Sequence, residues 1–133
     1  MNLTTLTAKD GFQLTAYVVK PRGIPRGAIV VVQEIFGVNS HIQSICDRLA
    51  ENGYVAIAPA MFDRIHPSFE SGYTPEEVTQ AKALMQSFNI ETALLDLEAA
   101  RGQVATAGNV GIVGFCLGGS LSWLAATRLK GFS

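Results

Sequence analysis

The chain has 133 residues, of which 48% are hydrophobic and 16% are charged. This length fits a single domain, and the large apolar fraction excludes a disordered chain. The formal net charge of -1 leaves no basic excess to neutralise phosphates, so we expect no nucleic-acid partner. The two cysteines, Cys46 and Cys116, are too few and too far apart for a disulfide scaffold or a zinc motif. We therefore expect reduced thiols, a cytoplasmic protein, and neither a metal nor another cofactor.

Two features of the sequence bear on a membrane location. The first ten residues lack the basic start and the apolar run of a signal peptide. Between Arg101 and Arg128 lie 26 consecutive uncharged residues, enough to span a bilayer. Glycines at 111, 114, 118 and 119 interrupt this run, so a buried strand, a tight turn and a buried helix explain it better. We expect no membrane partner.

The first half of the chain predicts two strands and a helix. A short strand is predicted over 14–19. The β-branched run over 28–32 is typical of a parallel strand that is covered on both faces. Ser40 is predicted to begin a helix, because Gln43 three residues later gives the spacing of a capping box. Gly53 is the predicted stop of that helix.

The second half continues the alternation of strands and helices. Its predicted elements are a strand over 54–58, a loop over 60–73, helices over 74–88 and 90–104, a strand over 110–113 and a helix over 118–129. Thr74 and Glu77 have capping-box spacing, with Pro75 at the first helical position. The alternation predicts a three-layer α/β/α sandwich. The strands near 29–33, 54–58 and 110–113 are expected to be parallel and adjacent, with the 14–19 strand toward the edge.

The segment that carries chemistry is GFCLGG at 114–119, between an apolar strand and an apolar helix. It reads G-x-C-x-G, with Cys116 where the nucleophile elbow usually has serine. The sharp turn needs neighbours without a Cβ, and the helix N-terminus favours a thiolate. A phosphate loop is the rival interpretation, but Ser120 stands where that motif needs lysine. Cys116 could also be a small buried hydrophobic residue.

A second motif, QEIFGVN at 33–39, directly follows the 28–32 strand. By itself it is explained by a strand-to-helix loop with a solvated glutamate. Together the two motifs resemble the dienelactone hydrolase family of α/β-hydrolases, also called carboxymethylenebutenolidases. The resemblance extends over most of the chain, through NGYVAIAP at 52–59, ALMQSFN at 83–89, DLEAAR at 96–101 and VGIVGFCLGGSL at 110–121.

The resemblance implies an α/β-hydrolase fold and hydrolysis of a small ester or lactone. It implies that Cys116 is the nucleophile and that Glu34 helps to activate the thiol as substrate enters. The backbone amides of Ile35 and Leu117 would form the oxyanion hole, which contributes about 3 kcal/mol to transition-state binding. Phe36 would line the substrate pocket.

The chain departs from the family pattern in two ways. The family's triad has an aspartate and a histidine well C-terminal of the elbow, whereas His41 and His66 both precede Cys116. Residues 1–133 therefore look like the N-terminal part of a single α/β-hydrolase domain, truncated after the elbow helix. Val78 also stands where the name-giving member has a carboxylate-binding arginine, and Arg64 is the nearest loop cation. This argues against dienelactone itself as substrate.

The missing strands lead to a prediction about partners. Without them the 110–113 strand would be an exposed edge, so we expect a second polypeptide, a C-terminal part or another copy, to cover it. The chain alone is expected to be a poor hydrolase, because it lacks the general base. Two other functions stay open at this point. One is a non-catalytic binding or interaction module on the partial fold, and the other is a flavodoxin-like module for a phosphorylated cofactor.

Overall fold

The computed structural model describes residues 2–133. Within them, one mixed sheet of five strands is flanked by four α-helices and a short 3₁₀ helix. The elements are β1 (Leu3–Thr7), β2 (Gln13–Val19), β3 (Ala28–Val32), α1 (Ser40–Glu51), β4 (Val55–Pro59), α2 (Pro75–Met85), α3 (Ile90–Val104), the 3₁₀ helix (Ala105–Ala107), β5 (Val110–Gly114) and α4 (Leu117–Arg128).

The strand order is β1-β2-β4-β3-β5. Strands β4, β3 and β5 are parallel neighbours, as predicted, and Val30 of β3 stands opposite Ile57 of β4 and Ile112 of β5. Strand β2 lies toward the edge, also as predicted, and pairs antiparallel with β4. The sequence analysis missed β1, which forms an antiparallel hairpin with β2 at the edge. Its Leu-Thr-Thr-Leu-Thr pattern does not alternate strictly, so the period of a strand is weak.

The sheet is the middle layer of the predicted α/β/α sandwich. On one face, Val31 of β3 packs in a cluster with Ile42 and Cys46 of α1. On the other face, Val30 and Val32 belong to the larger cluster formed with α3 and α4. Successive residues of β3 are thus buried on opposite faces, which explains the unbroken apolar run in this strand.

Helix α1 begins at Ser40, as predicted, but its N-cap lies one residue earlier than the capping-box spacing implied. Its N-cap is Asn39, whose side chain accepts a hydrogen bond from the Ile42 amide at 3.2 Å. Ser40 is already helical. The Gln43 side chain donates to the Val38 carbonyl at 3.0 Å instead of closing a box on Ser40. Asparagine is at least as good an N-cap as serine, and the position just before Ser40 has the required extended backbone.

The long uncharged run divides as predicted into the end of α3, a turn, β5 and α4. Among residues 2–133, every helix is too short or too polar to cross a membrane.

Strand β5 lies at the second edge of the sheet and is covered only at its start. Phe132 pairs with Val110 in a parallel bridge, and the Ser133 amide donates to the Val110 carbonyl at 2.8 Å. Beyond Val110, the outer side of β5 has no strand partner within the described part of the chain.

Candidate active site

Cys116 lies at the sharp turn between β5 and α4. It occupies the N-cap position of α4 with φ 59 and ψ -116, and its side chain is exposed. A residue with a Cβ in such a conformation carries about 1–3 kcal/mol of backbone strain. The predicted elbow geometry is therefore present, with the thiol held at the start of a helix.

Two glycines make this turn possible. A Cβ on Gly118 would collide with the carbonyl oxygen of Val32, and a Cβ on Gly114 would collide with that of Gly118. Gly119 differs, because its Cβ would meet the Gly114 carbonyl at 3.6 Å, an ordinary contact. The N-terminus of α4 thus packs directly against the end of β3, and the close approach requires glycine at 114 and 118.

The two sequence motifs converge on one small apolar cluster. Ile35 and Phe36 of the loop after β3, and Leu117 of the elbow, all pack against the buried residues Phe62, Phe69 and Ala81. The backbone amides of Ile35 and Leu117 donate no hydrogen bond to any group in residues 2–133. Free, rigidly held amides of this kind are what an oxyanion hole requires.

Glu34 is half-buried, and its carboxylate is held by a residue that the sequence analysis did not single out. The Tyr73 hydroxyl donates to Glu34 Oε1 at 2.9 Å. Within the described residues, Glu34 makes no hydrogen bond to the Cys116 thiol. Tyr73 belongs to the 60–73 loop, which has no periodicity, so nothing in the sequence pattern pointed to this contact.

The loop after β3, which contains Glu34, is fixed to the 60–73 loop by backbone pairing. Gly37 forms isolated antiparallel bridges with Glu34 and with Glu70. Its φ is +81, and a Cβ there would collide with the Phe69 carbonyl oxygen. A glycine is therefore required at 37, and the position of Glu34 is set by two loops together.

The histidines do not complete a triad. His41 is exposed at the start of α1, and its ring centroid lies 6.4 Å from that of Phe115. His66 Nδ1 lies 3.3 Å from the Pro67 carbonyl oxygen. In the part of the chain that the structure describes, neither ring hydrogen-bonds to Cys116 or to a carboxylate, so no histidine base is assembled at the thiol.

Arg64, the nearest loop cation in the sequence, has a structural role. Its guanidinium forms ion pairs of 2.8 Å with Asp10 and of 2.8 Å with Asp96, and lies 4.4 Å from the centre of the Phe12 ring. Asp96 is 1% exposed. Arg64 thus joins the β1–β2 turn to α3 and is not free to bind a substrate carboxylate.

Cys46, the other cysteine, is a buried thiol with which the reactivity of the exposed Cys116 can be compared. It is fully buried on the inner face of α1, and burial raises the pKa of its thiol to about 12.

A mixed sheet with three parallel neighbouring strands, a strained strand–elbow–helix turn and two free backbone amides are the features of an α/β-hydrolase. The family model described as "Dienelactone hydrolase family" matches residues 14–133. The chain belongs to the dienelactone hydrolase family. This membership replaces the flavodoxin-like interpretation.

Comparison with known proteins agrees with this assignment. A Synechocystis sp. protein provisionally named carboxymethylenebutenolidase is 40% identical over 132 residues, which cover 93% of this chain and 54% of the relative. The carboxymethylenebutenolidase of Pseudomonas putida is 37% identical over 131 residues, covering 93% and 55%. The chain thus spans about half the length of the curated relatives it matches.

Solved structures give the same result for the fold. A Klebsiella pneumoniae protein provisionally named a dienelactone hydrolase superposes with a TM-score of 0.81 at 32% identity, covering 98% of this chain and 56% of that one. A metagenomic phosphotriesterase described as dienelactone hydrolase-like has a TM-score of 0.71 at 19% identity, covering 98% and 56%. The second likeness concerns the fold alone.

Proposed function

We propose that this chain carries the nucleophilic part of a hydrolase for small esters or lactones, with Cys116 as the nucleophile. The observation that carries the proposal is the exposed Cys116 at a strained elbow, stabilised by the glycine contacts at 114 and 118. Strain of this kind persists only where the surrounding structure enforces it, and it concentrates at functional sites.

In the proposed reaction, the Cys116 sulfur attacks the acyl carbon and its proton passes to Glu34. The tetrahedral oxyanion accepts hydrogen bonds from the Ile35 and Leu117 amides. Collapse breaks the acyl–oxygen bond, the leaving oxygen takes the proton, and a thioester forms on Cys116. Water then hydrolyses the thioester and regenerates the thiol. Phe36 forms the apolar wall beside the acyl group.

The proposed substrate is a small ester or lactone that does not depend on an arginine for its binding. Val78 is apolar, and Arg64 is engaged by Asp10 and Asp96. These residues therefore offer no cation to a substrate carboxylate from the 60–73 loop or from the start of α2.

We further propose that a second polypeptide covers β5 and completes the catalytic machinery. The outer edge of β5 is unpaired beyond Val110 within residues 2–133, and Trp123 on the neighbouring α4 is 72% exposed. An open edge beside an exposed tryptophan favours association with another chain. Because the described histidines do not reach Cys116, we expect the chain alone to be slower by about 10²–10⁴-fold, the usual contribution of a general base.

The nucleophile is tested by alkylation and acylation. Cys116 should react with iodoacetamide at least about tenfold faster than the buried Cys46, and p-nitrophenyl acetate should leave one acetyl group on Cys116. Peptide mass spectrometry locates both adducts, and Cys116→Ala, which removes the nucleophile, is the control for acylation. A non-catalytic module would show no acetyl adduct, and the wild type and Cys116→Ala would then hydrolyse p-nitrophenyl acetate at the same rate.

The partner surface is tested with an edge lysine. A side chain at Gly111 of β5 meets nothing within 4 Å, so Gly111→Lys fits the fold while disfavouring strand pairing. Gly102→Lys on α3 adds the same charge where there is also open space. Light scattering should show association for the wild type and for Gly102→Lys, and less for Gly111→Lys. A monomeric wild type that hydrolyses p-nitrophenyl acetate at ordinary enzymatic rates would contradict the proposal.

A further inference from the structure

We infer that Gln33 is a positioning residue that fixes the direction of the Ile35 amide, one of the two proposed oxyanion donors. The inference rests on the proposed function, because it concerns how one of those donors is aimed. Gln33 directly follows β3 and is completely buried, with 0% exposure. Glutamine is mostly exposed in proteins, because burying its amide costs free energy unless the amide is hydrogen-bonded. The partners of the Gln33 amide therefore show what this buried polar group does.

The Gln33 side chain connects the ends of two neighbouring strands. Its Oε1 accepts a hydrogen bond from the backbone amide of Met61, two residues after β4, at 2.9 Å. Its Nε2 donates to the Glu34 carbonyl oxygen at 3.0 Å. The side-chain amide cannot be turned around, because the Met61 N–H only donates and the Glu34 carbonyl only accepts. The directions of both hydrogen bonds are therefore fixed.

The Glu34 carbonyl belongs to the same peptide group as the Ile35 N–H. This peptide is trans, so its C=O and its N–H point in opposite directions. By holding the carbonyl, Gln33 turns the Ile35 N–H away from its own side chain, and that N–H donates to no group within residues 2–133. The Gly37 amide also donates to the Glu34 carbonyl, at the longer distance of 3.4 Å. Gln33 is the closer of the two donors and the one that a side-chain substitution removes.

Gln33 also lies against the elbow, which carries the second proposed donor. A Cβ on Gly118 would lie 2.6 Å from the Gln33 carbonyl oxygen. Gly118 directly follows Leu117 at the start of α4, and Leu117 packs in the same apolar cluster as Ile35. The backbone of Gln33 thus borders one donor segment while its side chain holds the other. It links the two amides whose joint geometry an oxyanion hole requires.

Two reactions of Cys116 separate the aim of the amide from the reactivity of the thiol. Acylation by p-nitrophenyl acetate passes through an oxyanion, whereas alkylation by iodoacetamide displaces iodide and forms none. Both reactions need the thiolate, so the ratio of the acylation to the alkylation rate constant in the 133-residue chain measures oxyanion stabilisation. Removing one oxyanion donor altogether costs about 10²–10³-fold in rate. Gln33→Met keeps the Ile35 amide but releases its carbonyl, so it should lower the ratio about tenfold and change alkylation little.

The matched control is Gln43→Met. Gln43 Nε2 donates to the Val38 carbonyl at 3.0 Å, which is a hydrogen bond of the same kind and length in the same loop. It does not involve the Ile35 peptide, so this variant should leave the ratio unchanged. The inference would be overturned by an unchanged ratio in Gln33→Met, by an equal fall of both rate constants there, or by the same fall of the ratio in Gln43→Met.

A second variant, Gln33→Glu, decides the matter even if Gln33→Met does not fold. When protonated, the introduced carboxyl can accept from Met61 and donate to the Glu34 carbonyl, as glutamine does, but when ionised it can only accept. Burial raises the pKa of a carboxyl. Relative to the wild type at each pH, the ratio should therefore be close to normal at low pH and fall as the pH rises. A relative ratio that does not fall would overturn the inference, whereas a wild-type Cys116 that is alkylated but never acetylated would contradict the proposed function itself.

Discussion

The two edges of the sheet are completed in different ways. At the β1–β2 edge, Arg64 joins Asp10 of the hairpin turn to the buried Asp96 of α3 through two ion pairs. At the β5 edge, pairing stops after Val110, and Trp123 of the adjacent helix is exposed. The first edge is stabilised by contacts within the chain. The second carries the strained Cys116, so the proposed nucleophile lies where the described part of the fold is least covered.

The largest expected effect concerns the β1–β2 edge. Arg64→Met removes the partner of a buried carboxylate and should lower the free energy of unfolding by about 3 kcal/mol, because Asp96 would be buried without a counter-charge. Urea denaturation measures this loss. Arg128→Met is the matched control, since the Arg128–Glu91 pair of 2.8 Å is largely exposed, and it should cost less than about 1 kcal/mol. Equal losses in the two variants would show that the buried Arg64–Asp96 pair is no more important for stability than the exposed Arg128–Glu91 pair.

The loss of stability in Arg64→Met should depend on pH, and the pKa of Asp96 gives the direction. Burial raises the pKa of Asp96 above its ordinary value of 3.8, and the Arg64 hydrogen bond opposes this rise. A carboxyl with a raised pKa favours folding below its unfolded pKa and loses that contribution as the pH rises through its folded pKa. Removing Arg64 raises the pKa of Asp96 further. The deficit of Arg64→Met should therefore grow from about pH 4 toward neutral pH, as measured by urea midpoints. A deficit that shrinks with pH would contradict this.

At the β5 edge, the elbow glycines offer the next test. Gly118→Ala should lower the free energy of unfolding by about 2 kcal/mol, because the new methyl group collides with the Val32 carbonyl and pushes α4 away from β3. Thermal denaturation measures the loss of stability. The rate of Cys116 alkylation should change as well, because the thiol lies at the start of the displaced helix. Gly119→Ala is the control, since its methyl group has ordinary contacts at 3.6 Å and alanine favours a helix. If both substitutions are neutral, the close packing of the elbow is not essential.

The smallest expected effect has the opposite sign. Cys116→Gly should raise the free energy of unfolding by about 1 kcal/mol, because glycine tolerates a φ of 59 without strain. It also removes all rapid alkylation. Cys116→Ala removes the thiol but keeps the Cβ, so it should gain no comparable stability. If calorimetry shows equal stability for both variants, the elbow stores no strain.

The partner of Glu34 shows what local patterns could not predict. The capping box at Thr74 and the elbow glycines were predicted from spacing, because both depend on residues a few positions apart. Tyr73 and Glu34 are 39 positions apart, and they meet only because the loops after β3 and β4 pair at Gly37. No periodicity marks such a contact.

The sequence by itself determined the alternation of strands and helices, the burial of β3 on both faces and the turn that presents Cys116. These follow from local propensity and side-chain period. Only the tertiary structure decided that Arg64 is bound by Asp96 and that Asn39 caps α1 and hydrogen-bonds to Tyr73. The physical reason is that these features depend on which polar groups meet across the fold, and each must find a partner there once water is excluded.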